Sequence, residues 1–356
     1  MSGMKAAILA SLTVLICLWV LPVAAAELVY IPLGSANRII VVAPEGDRIV
    51  DQIEGLPAVH GLAGTPDGRF LIAGSYDERE PSENAPAKPT GMSEDEHAAH
   101  HARPAENAPG PDSAISTVSV ISIAQRAVVR RIDVPGAVHH VAISPNGSVA
   151  VVTQPNQDTI SVIDLKSYQV LVTVPTGPLP NFAVFSPEGQ QVYVSNAGND
   201  TVSTLDTASW QVLGDIAVGV SPEHLVLSRD GTILYVNNVG DGTVSVLDLR
   251  AGKVVQTIPI GDTLHGIDLS EDGRTLFVSA LGEDKLAAVN LLSGDHRSTT
   301  LGPEPYHLTV VRGTGKLYVS SAEAPKLWVV DQQTLAVGGE ISVGGKAHQM
   351  VQVTSE

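Results

Sequence analysis

Short apolar stretches alternate with polar turns along most of the chain, in a pattern that repeats roughly every 42 residues. The clearest repeat, residues 222–261, holds four such stretches, rich in β-branched residues and separated by Gly, Asp or Asn. This pattern predicts four short strands joined by tight turns. A period in the forties with four strands per repeat is typical of a β-propeller, in which equivalent positions form a ring.

The two ends of the chain complement each other. Six repeats are complete, while residues 28–54 supply a second, third and fourth strand, and residues 347–353 supply only a first strand. Joined together, the two fragments complete a seventh repeat and remove the open sheet edges that invite aggregation. We therefore predict an all-β, seven-bladed β-propeller of about 42-residue four-stranded blades, closed by a C-terminal clasp strand.

The repeats carry a recognisable signature. It consists of Tyr-Val-Ser-Asn at 193–196, Ser-Pro-Glu-Gly at 186–189 and Asp-Thr-Val-Ser-Thr-Leu-Asp at 200–206, with close variants in the other repeats. In these motifs the chain resembles the YVTN-repeat β-propeller family, over about residues 27–356 apart from one insertion. The resemblance implies the fold, but it does not specify a single function. Relatives of this kind include exported binding modules, propeller subunits of periplasmic oxidoreductases and haem d1-related proteins.

Seven of the eleven histidines recur near the start of the predicted first strands. They are His60, His139, His140, His224, His265, His307 and His348. First strands are innermost in a propeller, so we expect a ring of imidazoles at one mouth of the channel. Imidazole suits Cu, Zn, Ni and Fe, and crowded imidazoles can also hold a proton or an acidic ligand. The alternative is that duplication of the repeat copied these polar residues, and that they only contact water in the channel.

The ring is too wide for every histidine to touch one ion, so two to four neighbours would form a site. One repeat has Asn181 in place of histidine, while Glu223 and Tyr306 precede two of the histidines. Neighbouring side chains point to opposite sides of a regular strand, so we expect only one of His139 and His140 to face the channel.

An insertion at residues 76–113 separates the second and third strands of the second blade. It carries nine acidic residues, three basic residues and six prolines, a composition that predicts a disordered loop. His97, His100 and His101 lie beside carboxylates, a composition typical of metal capture, and a helix would put His97 and His101 on one face. We expect an arm or lid over the channel mouth; the alternative is a solvated acidic linker.

Residues 1–26 have the pattern of a secretory signal peptide. Lys5 precedes an apolar run that ends in Ala24, Ala25 and Ala26, although an uncleaved anchor is an alternative. Cys17 is the chain's one cysteine, so cleavage would leave no thiol for a disulfide or a thiolate metal site. We predict a periplasmic or secreted protein without a membrane span after cleavage.

The charge of the chain restricts its partners. The net charge is −17, and it becomes −18 when Lys5 is removed with the signal. Such an acidic surface argues against nucleic acid and favours cations or a basic periplasmic protein. We expect a monomer.

No phosphate-binding glycine loop, nucleophile elbow or redox cysteine pair is present, so we name no catalytic residue and favour a protein that is not an enzyme. The leading prediction is a binding module that holds a transition metal, or a metal-bearing ligand, at the histidine-lined mouth. The alternatives are an accessory subunit of a periplasmic oxidoreductase, haem d1-related or of quinoprotein type, and an interaction scaffold without a ligand. A lactonase is less favoured, because the channel pattern is imidazole rather than a carboxylate-rich calcium site. Asp164 and Asp206 are expected to be turn acceptors.

Overall fold

The computed structural model describes residues 27–80 and 114–354, and these form seven four-stranded antiparallel sheets arranged as a β-propeller. Blade 1 contains β28 (Val351–Thr354), β1 (Glu27–Leu33), β2 (Arg38–Ala43) and β3 (Arg48–Glu54). Blade 2 contains β4 (Val59–Gly64), β5 (Phe70–Ser75), β6 (Ile115–Ser122) and β7 (Ala127–Pro135). Blade 3 contains β8 (Val141–Ile143), β9 (Val149–Gln154), β10 (Thr159–Asp164) and β11 (Gln169–Pro175). Blade 4 contains β12 (Pro180–Phe185), β13 (Gln191–Asn196), β14 (Thr201–Asp206) and β15 (Val212–Ala217).

The remaining three blades repeat this order. Blade 5 contains β16 (Pro222–Leu227), β17 (Ile233–Asn238), β18 (Thr243–Asp248) and β19 (Lys253–Pro259). Blade 6 contains β20 (Leu264–Leu269), β21 (Thr275–Ala280), β22 (Lys285–Asn290) and β23 (His296–Thr300). Blade 7 contains β24 (Pro305–Val311), β25 (Lys316–Ser321), β26 (Lys326–Asp331) and β27 (Val337–Ser342). Short 3-10 turns occur at Gly34–Ala36, Pro155–Gln157 and Leu281–Glu283.

The predicted clasp is present. Strand β28 pairs antiparallel with β1, with Tyr30 opposite Val351 and Glu27 opposite Thr354. Val353 is buried among the apolar residues between blades 1 and 2. The last strand of the chain therefore completes the first blade and closes the ring, as the complementary fragments predicted.

The core lies between neighbouring blades, because both faces of each sheet are covered. Second strands such as β13 are almost wholly buried, whereas fourth strands such as β15 are mostly exposed. First strands contact one another around the ring, as β12 contacts β16 and β16 contacts β20. This puts the starts of the first strands, and with them the histidines, around the propeller axis.

The insertion begins beside the channel. Tyr76 follows β5, and its ring centroid lies 5.3 Å from that of His60. Arg79 and Ile115 then form an isolated antiparallel bridge at the neck of the insertion. The predictions for His97, His100 and His101, and the signal-peptide prediction for residues 1–26, lie outside the described residues.

Candidate metal centre

Five first strands contain a bulge that carries residues of the ring, and in blades 3 and 1 the corresponding residues precede strands β8 and β28. In β12, Pro180 pairs with Asn196 and Ala183 with Val194, so two residues stand opposite the single residue Ser195. The same irregularity occurs in β4, β16, β20 and β24. An extra residue in one strand re-aims the side chains at that point, which is how a bulge can direct two successive side chains to one region.

The histidines occupy both places of this bulge rather than one equivalent place. The first bulge position holds His60, His139, Asn181, Glu223, His265, Tyr306 and His348. The second bulge position holds Gly61, His140, Phe182, His224, Gly266, His307 and Gln349. The repeat therefore supplies an imidazole from either of two neighbouring positions.

Hydroxyl groups on several second strands fix the bulges. Ser195 Oγ accepts the backbone N–H of Phe182 at 3.1 Å and donates to the backbone carbonyl of Glu223 in the next blade. Thr153 acts in the same way, because its Oγ1 accepts the N–H of His140 at 3.0 Å and donates to the carbonyl of Asn181 at 2.8 Å. The hydroxyl therefore ties the bulge of one blade to that of the next.

Three of the histidines come together on blades 5, 6 and 7. His224, His265 and His307 are 4%, 6% and 5% exposed, and each offers a ring nitrogen within 4.8 Å of the other two. Their ring centroids lie 4.3 Å apart for His224 and His265, 4.5 Å for His265 and His307, and 5.1 Å for His224 and His307. Nitrogens that bind one zinc ion at 2.0–2.1 Å are about 3.4 Å from each other. Small side-chain rotations would therefore bring the three ring nitrogens to coordination distance from a single ion.

A glycine lets two of these histidines approach. A Cβ atom at Gly266 would lie 2.5 Å from the backbone nitrogen of Leu308 and 2.7 Å from the carbonyl oxygen of Tyr306. Only a residue without Cβ fits there unless blade 7 moves away from blade 6. The close approach places His265, which precedes the glycine, beside His307 on the next blade.

A second group of imidazoles lies on blades 1, 2 and 3. The ring centroid of His60 is 4.6 Å from that of His139 and 4.2 Å from that of His348. Tyr76 lies next to this group, with its ring centroid 6.0 Å from that of His139. The structure thus divides six of the predicted ring histidines into two groups of three.

Both ring nitrogens of His140 have partners within the protein. Its Nδ1 accepts the backbone N–H of Ala183 at 3.2 Å, and its ring stacks on Phe182 with centroids 3.4 Å apart. Its Nε2 lies 2.7 Å from the terminal amide of Gln349. Burial first, then the neighbouring imidazoles, lower the pKa of His140 well below its usual value. Its ring is therefore neutral at pH 7, with Nδ1 already used as an acceptor.

His139 and His140 do not point to opposite sides. His139 lies beside His60, and His140 reaches Gln349 on a blade two places away, so both side chains lie among the first strands. The expectation that only one of the two would face the channel is wrong, because both residues stand opposite Thr153 in the bulge.

One of the ring residues, Glu223, has a buried carboxyl group. Glu223 is 2% exposed and occupies the first bulge position of blade 5. Burial raises the pKa of Tyr76 to about 12, with further contributions from the charges of Glu78 and Glu223. Burial likewise raises the pKa of Tyr306, and Glu223 adds to that shift. Glu223 therefore lies close enough to both phenols to act on them electrostatically, and both phenols keep their protons.

Sequence reasoning missed several residues of the site. Tyr76 stands at the start of the insertion, and nothing in the repeat pattern distinguishes Phe182 or Gln349. The glycines that directly follow His60 and His265 were a usable signal, since a small residue after a repeated histidine indicates a close approach of two backbones.

The comparisons with known proteins support a β-propeller family. Residues 173–313 match the family described as "Lactonase, 7-bladed beta-propeller", a range that includes His224, His265 and His307. No curated protein matches the chain. Among residues 27–80 and 114–354, no helix has the length and apolar character needed to cross a membrane.

Solved structures agree with this fold. A putative 6-phosphogluconolactonase from Bacteroides uniformis shares 19% identity over 92% of this chain and 100% of its own, with a TM-score of 0.72. The periplasmic gluconolactonase PpgL from Pseudomonas aeruginosa shares 17% identity over 93% and 100%, with a TM-score of 0.71. The dihydro-heme d1 dehydrogenase NirN shares 13% identity over 88% and 63%, with a TM-score of 0.64. At these identities the likeness establishes the seven-bladed fold, and the function has to be argued from the site itself.

Proposed function

We propose that this protein is an exported binding module that holds a transition-metal ion through His224, His265 and His307. The observation that carries the proposal is the position of three buried imidazoles whose ring nitrogens lie within 4.8 Å of one another. Imidazole is a ligand for Cu, Zn, Ni and Fe, and three protein ligands leave coordination positions for water or a second ligand.

Charge supports this proposal. A bound cation adds positive charge to a buried region, which is costly unless a nearby anion compensates it. Glu223 directly precedes His224 in the bulge of β16 and is itself buried. The net charge of −17 further favours the approach of cations from solution.

Export is supported by the sequence pattern of residues 1–26 and by the likeness in fold to a periplasmic gluconolactonase. Metal capture by His97, His100 and His101, a basic protein partner and a monomeric state stay predictions of the sequence.

Titration calorimetry with Zn²⁺ and with Cu²⁺ tests the metal proposal. We expect saturable binding by the full chain, and loss of the tightest equivalent in His265→Gln. The matched control is His296→Gln, because His296 lies exposed on β23, away from the channel. Equal binding by the two variants would contradict the assignment.

Lactone hydrolysis is the second candidate. It is favoured by the lactonase-family match over residues 173–313, which contain the three histidines and Glu223. A pH-stat assay on glucono-δ-lactone tests it, with Glu223→Gln as the variant expected to lose activity. A wild-type rate equal to the buffer rate would exclude this activity on that substrate.

A further inference from the structure

The histidines at the first bulge position of blades 2 and 3 have a fixed tautomer. His60 Nδ1 lies 2.8 Å from the backbone carbonyl oxygen of His139, and His139 Nδ1 lies 3.0 Å from that of Asn181. A carbonyl oxygen can only accept, so Nδ1 carries the proton in both rings. In each neutral ring, Nε2 is then the unprotonated nitrogen.

This arrangement is the one that metal-binding histidines usually show. Such a histidine donates its second ring N–H to a carbonyl or carboxylate, which fixes the ring and raises the basicity of the ligating nitrogen. One of the accepting carbonyls has a second donor, and the other lies close to the backbone of blade 2. The carbonyl of Asn181 also accepts Thr153 Oγ1 at 2.8 Å, and a Cβ at Gly61 would lie 2.9 Å from the carbonyl oxygen of His139.

The pair is buried and distinct from the three-histidine centre. His60 is 2% exposed and His139 is 6% exposed, and their ring centroids lie 4.6 Å apart. The nearest member of the other centre is His307, whose ring centroid lies 6.3 Å from that of His60 and 5.9 Å from that of His348. Two ions could therefore occupy the mouth without sharing a ligand.

We propose that His60 and His139 form a second transition-metal subsite, in which both bind through Nε2 and His348 lies alongside. This second subsite goes beyond the proposed function and relies on it only for the class of ion, a transition metal. Two cations bound at these neighbouring groups of histidines repel each other. The second equivalent is therefore expected to bind about tenfold or more weakly than the first.

Equilibrium dialysis against Zn²⁺, followed by elemental analysis, tests the second subsite. We expect two equivalents at the channel mouth of the wild type and of His296→Gln, and one equivalent fewer in each of His60→Gln and His265→Gln. One wild-type equivalent that is lost in His265→Gln but kept in His60→Gln would overturn the second subsite and leave the proposed function standing. A wild type that binds no metal would overturn both the proposed function and the second subsite. A single wild-type equivalent that is lost in His60→Gln and also in His265→Gln would show one shared site and overturn the second subsite.

A measurement on the wild type alone guards against a variant that does not fold. Two Cu²⁺ ions in these subsites would be close enough for magnetic coupling, so the electron paramagnetic resonance spectrum should broaden between one and two equivalents. An unbroadened spectrum at two bound equivalents would place the second ion elsewhere and overturn the subsite.

Discussion

His265 and His307 lie on neighbouring blades and at different positions of the first-strand bulge, yet their ring centroids are only 4.5 Å apart. Gly266 makes this possible, because any Cβ there would meet the backbone of blade 7. The candidate centre therefore depends on the spacing of blades 6 and 7 as well as on the presence of histidines.

Gly266→Ala should weaken metal binding at the three-histidine centre by tenfold or more. The added methyl group would push blade 7 away and should also lower the free energy of unfolding by about 1–3 kcal/mol. Gly214→Ala is the matched control, because a Cβ at Gly214 would meet no atom within 4 Å. Zinc titration and urea unfolding measure the two effects, and unchanged affinity in Gly266→Ala would contradict this account of the spacing.

His140→Phe should lower stability without changing the number of bound metal ions. Phenylalanine fills the space beside Phe182 but leaves the N–H of Ala183 without its acceptor. An unsatisfied buried donor costs about 1–3 kcal/mol, which urea unfolding would detect. Loss of a metal equivalent in this variant would show that His140 is a ligand after all.

The acid sensitivity of the protein should depend on its turn aspartates. Hydrogen bonds from the hydroxyl and N–H of Ser209 lower the pKa of Asp206, and those from Thr334 lower the pKa of Asp331. A carboxyl whose folded pKa lies below its unfolded pKa stabilises the fold above the unfolded value, and this stability is lost as the pH falls. The ordinary pKa of an aspartate is 3.8, so the loss should occur mainly below about pH 5.

The double variant Asp206→Asn with Asp331→Asn tests this relation. Asparagine cannot titrate, so the free energy of unfolding should fall less between pH 6 and pH 3 than it does in the wild type. Parallel curves for the two proteins, measured by urea unfolding at each pH, would show that these turns do not contribute to acid sensitivity.

Val353→Asp should open the ring. Val353 is buried between blades 1 and 2, so an unpaired carboxylate there should cost about 2–5 kcal/mol and expose the edge of β1. Thr354→Asp is the control on the same strand, because Thr354 is exposed. Thermal unfolding and light scattering should show early melting and aggregation in the first variant only; equal behaviour would contradict the role of the clasp.

Much of the fold was predictable because each blade repeats the same strand pattern. The complementary fragments at residues 28–54 and 347–353 indicated the closure, which the pairing of Tyr30 with Val351 confirms. Asp164 and Asp206 were expected to be turn acceptors, and Asp164 indeed accepts the backbone N–H of Lys166 at 3.0 Å. Local patterns of this kind suffice when a fold is built from short-range strand pairs.

The grouping of the histidines was not predictable from their spacing. A bulge leaves no clear mark on the alternation of apolar residues, so His139 and His140 were assigned to opposite faces. The sequence also does not show which blades approach each other closely, and this depends on Gly61 and Gly266 meeting the backbones of the next blades. Contacts across the ring, such as that between His140 and Gln349, join residues 209 positions apart in the chain.

The most direct test of the central claim is elemental analysis of the protein purified from an exported preparation, without a histidine tag or chelating resin. The account predicts at least one equivalent of Cu, Zn, Ni or Fe that survives dialysis and is lost in His265→Gln. A wild-type protein that contains no metal, and retains none after incubation with added Zn²⁺ or Cu²⁺, would contradict it.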